Sequence, residues 1–276
     1  MNVKEAYSYS VSFLEANGVD EADFKALTVV CHVAGIKNSE YHAHKDDFVI
    51  TRQLADCLWK LKSGEPLQYV VGKWDFYESE FYVGEGVLIP RPETEELVEL
   101  AVKQLKTVNT PVVIDLCSGS GCIGLSIAKA VPSSKVYCIE KSKDAFEYLK
   151  KNSDCVNNAI LINDDIFNDV DIEQADLIIS NPPYIKTEVL ETLQDEVKKE
   201  PMMALDGGTD GLDFYRIINY KWSKKLKPNG VLMLEIGEDQ GKPIIDVLSD
   251  FNSVEVLKDM YGNDRMVVAK RYNKGD

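Results

Sequence analysis

Asn181-Pro182-Pro183-Tyr184 follows directly on the apolar run Ala175-Asp-Leu-Ile-Ile-Ser. Two adjacent prolines fix two φ angles and remove two backbone donors, so the segment cannot continue a strand ladder and must hold one rigid shape where the strand ends. Asn181 brings a side-chain carbonyl, and the Pro182 main-chain carbonyl has its direction set by the stiff Pro-Pro backbone. Two such acceptors suit a planar amino group. The nitrogen lone pair of an amide or aromatic amine is delocalised and weakly nucleophilic; acceptors aimed at its hydrogens position the group and return electron density to nitrogen. Tyr184 offers a ring face or edge to the same plane. Asn-Pro also starts ordinary turns, and the tetrapeptide by itself is equally compatible with a redirected chain.

A second constellation lies upstream. Asp115-Leu-Cys117-Ser118-Gly119-Ser120-Gly121-Cys-Ile-Gly124 contains a G-x-G-x-x-G string directly after the apolar stretch Pro111-Val-Val-Ile. At a strand-to-helix turn, such glycines let backbone approach a nucleotide-type cofactor. Glu140 follows Gly121 by 19 residues, at the end of the next apolar stretch, where an acid can accept hydrogen bonds from ribose hydroxyls. A nicotinamide dinucleotide and S-adenosylmethionine both use such an acid, but they differ at the loop. The first places an anionic pyrophosphate there, the second an ammonium and a sulfonium. Asp115 repels the former and suits the latter, since a charge pair at ~4 Å is worth on the order of 4 kcal/mol before desolvation at an intermediate dielectric. The loop therefore favours S-adenosylmethionine. As simpler roles, Asp115 could cap the following turn and Glu140 could be a solvated strand end.

These residues need elements to bring them together. From Pro111 onward, strands alternate with helices: PVVIDL, a helix over CIGLSIAKAV, KVYCIE, a helix over KDAFEYLKKN, AILIN and ADLIIS. That rhythm predicts an open, mainly parallel sheet wrapped by helices, whose strand ends share one crevice. The Asn-Pro-Pro-Tyr strand is then the fourth of the sheet, and its end meets the glycine loop around one cofactor. Further on, DFYRIINYKWSKKL reads as a helix, GVLMLEIG as a strand, and SVEVLKDMYGNDRMVVAK as two strands around a polar turn, one of them antiparallel. Before the sheet, residues 1–70 show helical spacing, as in Ala26, Val29, Val30 and Val33, with Asp20 as N-cap and Gly35 as a stop. Thr51 to Leu61 forms a further helix closed by Gly64 and Pro66. Residues 71–88, aromatic and punctuated by glycine, predict a β-hairpin linker, and PRPETEELVELAVKQL opens a helix with proline and acids in its first turn. The expected organisation is an N-terminal helical bundle (1–70), the hairpin (71–88) and a Rossmann-like α/β catalytic domain (89–276).

Composition narrows the partners. The 276-residue chain has a formal net charge of -15, and it is acidic both before and after residue 88. Phosphate backbones call for basic faces, so a nucleic-acid substrate is disfavoured. The six cysteines form no Cys-x-x-Cys pair, and His32, His42 and His44 have no metal-ligand spacing, so the thiols read as reduced, the histidines as helix or surface residues, and no metal is expected. No window approaches the ~18 uninterrupted apolar residues of a membrane span, and the start lacks a signal sequence, so the expectation is cytoplasmic.

Beyond these motifs, GEPLQYVVGKWDFY, LIPRPETEELVE, EPMMALDGGTDGLDFYRIINY, LEIGEDQG and KDMYGNDRMVVAK together resemble the glutamine methyltransferases of peptide-chain release factors, the PrmC/HemK family. The resemblance covers most of the chain from Gly64 to Lys270, and the N-terminal part is similar in kind and length. SNPPY alone is shared with adenine and guanine amino-methyltransferases, which grip a flipped base in the same way; a nucleic-acid amino-methyltransferase is accordingly the alternative reading. The resemblance implies methyl transfer from S-adenosylmethionine to the glutamine amide of a release factor's Gly-Gly-Gln loop. The acidic charge and the separate bundle add the expectation that the helical domain helps to select that protein, and a monomer is expected. By position it implies Cys117 to Gly121 as the donor loop, Glu140 as the ribose acid, Ile166 or Phe167 beside the adenine, and Asn181 to Tyr184 as the acceptor grip. Cys-Ser stands in the loop where the family commonly has Gly-Thr, Glu140 where it has Asp, and Ile166 where an aromatic is common.

Overall fold

The computed structural model describes residues 1–271, which form two compact units. The first comprises Met1–Trp74 together with Gln194–Lys199. Here α1 (Val3–Ala16), α2 (Ala22–Ala34), α3 (Thr51–Lys62) and the short α4 (Leu67–Val71) bury one apolar stripe each: Val3, Ala6 and Leu14; Ala26, Val29 and Val30; Leu54, Leu58 and Leu61; Leu67 and Val70. Helix α1 opens with a capping box in which Asn2 and Glu5 satisfy each other's backbone N–H groups. Gly35 ends α2 at φ 70°, a left-handed cap that an L-residue adopts only at a cost. The start of α2 differs from expectation. Glu21, itself at φ 54°, occupies the cap position, and no side chain of the Asp20 type caps the helix.

The second unit, Asp75–Leu193 with the residues from Glu200 on, is α/β. The hairpin β1 (Lys73–Phe76) and β2 (Ser79–Tyr82) precedes α5 (Pro92–Leu105), which carries proline at its first position and Glu93 and Glu95 in its first turn. Next come β3 (Val112–Leu116), α6 (Cys122–Ala130), β4 (Lys135–Glu140), α7 (Lys143–Asn152), β5 (Ala159–Asn163) and β6 (Ala175–Ser180), then α8 (Asp213–Tyr220), β7 (Leu226–Glu235), α9 (Gly241–Val247), β8 (Ser253–Lys258) and β9 (Asp264–Lys270). The sheet order is β5-β4-β3-β6-β7-β9-β8, with β9 antiparallel to both its neighbours and the other pairs parallel.

Both faces of the sheet are covered, which is why its strands read as unbroken apolar runs. Successive residues serve opposite cores: Val113, Leu177 and Ile179 pack with α5 and α6, whereas Ile114, Ile178 and Leu232 pack with Tyr215, Ile218 and Trp222. The order reverses between β3 and β6, since β4 and β5 extend the sheet one way and β7 the other. At such a switch point the two outgoing loops diverge and leave a crevice. The loops concerned are the glycine loop and Asn-Pro-Pro-Tyr.

Three stretches depart from the sequence reading. DFYRIINYKWSKKL gives α8 and then a separate 3-10 turn over Trp222–Lys225. Helices α4 and α9 were invisible to periodicity because each is barely two turns long or less. Between β6 and α8 the chain makes only 3-10 turns, at Thr187–Thr192, Val197–Lys199 and Met202–Ala204.

Candidate active site

The glycine loop leaves β3 through Cys117 at φ 58°, followed by Gly119 at φ 56° and Gly121 at φ 83°. Cys117 is thus an L-residue held in the left-handed region, a strain of about 1–3 kcal/mol that the surroundings must support. The third glycine has a different job. A Cβ on Gly124 would lie 2.6 Å from Cys138 Sγ and 2.8 Å from Asp115 Oδ2, so only glycine lets α6 sit this close to β3 and β4.

Asp115 is fully buried behind the loop, not on its open side. Its Oδ2 accepts the Gly124 N–H at 3.0 Å, and burial pushes the carboxyl up to about 7, against the stabilising pull of that bond. Glu140 clasps the loop from the neighbouring strand: Oε2 accepts the Gly119 N–H at 2.7 Å and Oε1 the Ser142 N–H at 2.6 Å. Burial raises its pKa, and these backbone bonds oppose the shift.

On the other side of the switch point, Asn181 donates from Nδ2 to Thr94 Oγ1 at 3.2 Å, and the Thr94 hydroxyl donates to Glu235 Oε2 at 2.6 Å. Thr94 and Glu235 are each 2% exposed. Pro182 and Pro183 are buried. The tetrapeptide is locked from behind: Gln240 Nε2 donates to the Tyr184 carbonyl at 3.0 Å, and Ile185 exchanges backbone bonds with Leu205 and Gly207. A Cβ at Gly207 would come within 2.7 Å of Tyr184 Cα, so glycine is required there for close backbone approach. Burial raises the Tyr184 hydroxyl to about 12.

A solvent-open cleft, with about 920 Å³ of empty space when the open solvent at its mouth is included, lies between these loops. Of the residues singled out from sequence, Cys117, Ser118, Gly119, Ser120, Glu140, Ile166, Asn181 and Pro183 line it. Asp115, Gly121, Pro182, Tyr184 and Phe167 are not part of its lining. Asp115 sits beneath the loop, and Gly121 turns inward, where its α-carbon faces Leu125 and Leu149. Tyr184 packs into the lower core, and Phe167 points outward at 48% exposure, edge-on to Phe214 at 5.5 Å.

Sequence reasoning passed over Phe214, Thr94, Arg91 and Met203, all of which line the cleft, and Glu235 and Glu200, which hold lining residues. Glu200, 5% exposed, accepts the Ile89 N–H at 2.9 Å and the Arg91 guanidinium. The usable signal was an acid ending an apolar strand at Glu235 and a threonine inside the acid-rich first turn of α5. Both have ordinary readings as a strand end and a helix start.

The chemistry of the walls separates the two cofactors that the glycine string admits. Of the loop N–H groups a pyrophosphate would use, those of Ser118, Gly119, Gly121 and Gly124 already donate to Ile139 O, Glu140, Ser118 O and Asp115. Lys141 and Arg91, the cations on the wall, are paired with Asp165 and Glu200. Glu140 has no such partner there. Two buried polar atoms of the loop, Asp115 Oδ1 and Ser120 Oγ, take no hydrogen bond from the described residues. Surplus negative charge and spare polar atoms fit a cationic amino-acid nucleoside and disfavour an anionic dinucleotide.

Fold and site together define a Rossmann-like methyltransferase. The family described as methyltransferase small domain matches residues 95–208, and the PrmC N-terminal domain matches residues 5–72. A release factor glutamine methyltransferase from Thermodesulfovibrio yellowstonii is 39% identical over 258 residues, covering 90% of this chain and 92% of that protein. One from Fusobacterium nucleatum is also 39% identical, covering 99% of this chain and 80% of that protein. Among solved structures, the hMettl16 catalytic domain in complex with the MAT2A 3'UTR hairpin 6 superposes with a TM-score of 0.57 at 14% identity, covering 81% of each chain, a likeness of fold. The chain belongs to the release factor glutamine methyltransferase family. Its methyl donor is S-adenosylmethionine. Among the described residues no helix is long and apolar enough to cross a membrane.

Proposed function

We propose that this enzyme methylates the side-chain amide nitrogen of the glutamine in the Gly-Gly-Gln loop of peptide-chain release factors, with Asn181 holding the acceptor. The observation that carries this reading is the direction of the Asn181 amide. Its Nδ2 is turned back onto Thr94, so Oδ1 is the side-chain atom left to meet a ligand's amino hydrogens. The Pro182 carbonyl, its direction fixed by the proline pair, is proposed as the second acceptor even though Pro182 is buried and lies outside the lining of the donor-free cleft.

S-adenosylmethionine, when bound, supplies a methyl group already activated by a sulfonium. Cys117 to Gly121 would hold its amino-acid end. Glu140 would take ribose hydroxyls on the lone pairs its two backbone bonds leave free, and Ile166 and Phe214 would flank the base. Asn181 orients the amide and withdraws no charge from it. The rigid tetrapeptide holds that geometry without reorganisation, so the residues contribute chiefly through position and electrostatics. No general base is among them, since the amide's surplus proton is acidic enough to pass to water. Tyr184 anchors the loop through its carbonyl and buried ring. We propose that the enzyme acts as a monomer and that the helical unit selects the protein that carries the acceptor loop. An acidic chain of net charge -15 suits a protein acceptor better than a polyanion.

Labelled methyl transfer to an intact release factor, to the same factor with its Gly-Gly-Gln glutamine changed, and to RNA tests the reading. Label should enter the first alone. Preferential labelling of RNA, or undiminished labelling of the changed factor, overturns it.

A further inference from the structure

We infer that Thr94 and Glu235 are positioning residues for Asn181: Glu235 fixes the direction of the Thr94 hydroxyl hydrogen, and Thr94 thereby fixes which end of the Asn181 amide faces the cleft. A threonine hydroxyl has a single hydrogen. At 2.6 Å from Glu235 Oε2 that hydrogen is committed to the carboxylate in a short, charge-assisted bond. Thr94 Oγ1 can then only accept from its remaining neighbour. Asn181, at 3.2 Å, must present Nδ2 to it, because the reversed amide would set two acceptor oxygens against each other. The amide's direction, which shape alone leaves open, is therefore set by a proton two residues away.

The three groups come from three elements. Thr94 lies in the first turn of α5, Asn181 just past β6, and Glu235 at the end of β7, so the sheet's switch point assembles the chain of bonds. Both Thr94 and Glu235 are 2% exposed, and water cannot substitute freely for either. A carboxylate buried to this degree is a costly way to hold a hydroxyl unless its charge is used. Around it stand Arg265 on β9, Arg91 and Glu93 at the start of α5, and Tyr184 and the buried Tyr215, whose hydroxyl donates to the Glu235 main-chain carbonyl at 2.9 Å. Burial pushes the Glu235 carboxyl up to about 7, and the Thr94 bond and Arg265 oppose it. Once protonated, Glu235 can itself donate to Thr94, which frees the hydroxyl hydrogen and lets the amide reverse.

The consequence for turnover rests on the proposed function; the bonds themselves do not, and the experiment separates the two. In the donor-free protein, one of the two Asn181 side-chain NH2 protons should exchange slowly by NMR, the signals being assigned by their absence in Asn181→Asp. That protection should vanish in Thr94→Val and persist in Thr94→Ser. In turnover, Thr94→Val should lower kcat on the order of tenfold or more while the dissociation constant of S-adenosylmethionine stays within about twofold, and Thr94→Ser should recover most of the lost rate. Glu235→Gln should flatten the fall in kcat below pH 7, although Asp115, also raised to about 7, is left in place. Equal exchange of both protons in the unaltered protein overturns the inference. So does an undiminished kcat in Thr94→Val, a serine variant as impaired as the valine one, or an acid limb unchanged by Glu235→Gln. If Asn181 is protected as stated but no release factor is methylated, the functional reading fails and the bonded relay stands.

Discussion

Replacing Gly124 by alanine sets two effects of opposite sign against each other. Gly124 lies within α6, where alanine is favoured over glycine by about 1 kcal/mol of helix propensity. Against this, the new Cβ would stand 2.6 Å from Cys138 Sγ, 2.8 Å from Asp115 Oδ2 and 3.1 Å from Asp115 Cβ. Both neighbours are on fully buried central strands and have nowhere to retreat. Overpacking of this kind costs about 1–3 kcal/mol. Moving α6 away also weakens the 3.0 Å bond from Gly124 N–H to Asp115, and a bond to a charged acceptor is worth about 1.5–3 kcal/mol. The steric terms win, for a net loss of about 2–4 kcal/mol. At about 2–4 °C per kcal/mol for a domain of this size, Tm should fall by about 5–15 °C. Thermal and urea unfolding followed by circular dichroism read this directly, and calorimetry should show weakened S-adenosylmethionine binding because Asp115 and the loop move together. Since the closest contact is a sulfur, Cys138→Ala should offset part of the loss, with a coupling above about 0.5 kcal/mol in the double-mutant cycle. An alanine variant as stable as the parent, or one whose loss ignores Cys138, would refute the close-packing account.

Asn181→Ala should lower the methylation rate on the order of a hundredfold, with S-adenosylmethionine affinity largely retained in calorimetry, because the side chain serves the acceptor. Asp115 is raised to about 7 from an ordinary value of 3.8. The unfolded chain therefore releases this proton first as pH rises, and stability is lost between about pH 4 and pH 7, by up to a few kcal/mol. Urea unfolding at pH 5 and pH 8 should show the donor-free protein more stable at the lower value, with the difference reduced in Asp115→Asn; a difference unchanged by that substitution counts against the assignment. Glu200→Ala should cost about 1.5–3 kcal/mol by releasing the Ile89 N–H and the Arg91 guanidinium, and should raise the S-adenosylmethionine dissociation constant as the cleft wall loosens. Cys117→Gly should leave donor binding intact and raise Tm slightly, since the residue at φ 58° loses its Cβ strain. A falling Tm would show that the thiol's packing outweighs that strain.

The sheet was legible because its strands are buried on both faces and separated by helices of full length, so that VVIDL, KVYCIE and ADLIIS stand out as apolar runs. The glycine string and the proline pair were legible for a related reason: each is a backbone requirement written in residue types that serve few other purposes. Phe214 was not, because an aromatic on an amphipathic helix reads as core. Nor was the Glu235 to Thr94 to Asn181 chain, whose members are 141 and 87 residues apart in the two bonds and are brought together only by the strand order. Asp115 shows the limit of motif reading in another way. Its position next to the loop was plain, but the carboxylate follows the alternation of β3, which puts it on the side of Val113 and α6, behind the loop.

The path of the chain between the two units decides how a truncation is to be read. The chain passes from one to the other after Trp74, leaves again at Gln194, and returns at Glu200. Within the helical unit Lys25, almost fully buried, grips Glu196 at 2.5 Å. Within the α/β unit, Glu200 is pinned to Ile89 and Arg91, and the next residues, Pro201, Met203 and Ala204, form part of the cleft wall. Glu200 thus directly follows Lys199, the last residue of the segment that belongs to the helical unit. Removing residues 1–74 therefore takes away Lys25, the partner of Glu196, as well as the helices, so that variant also changes the segment Gln194–Lys199, which lies far along the chain from the cut.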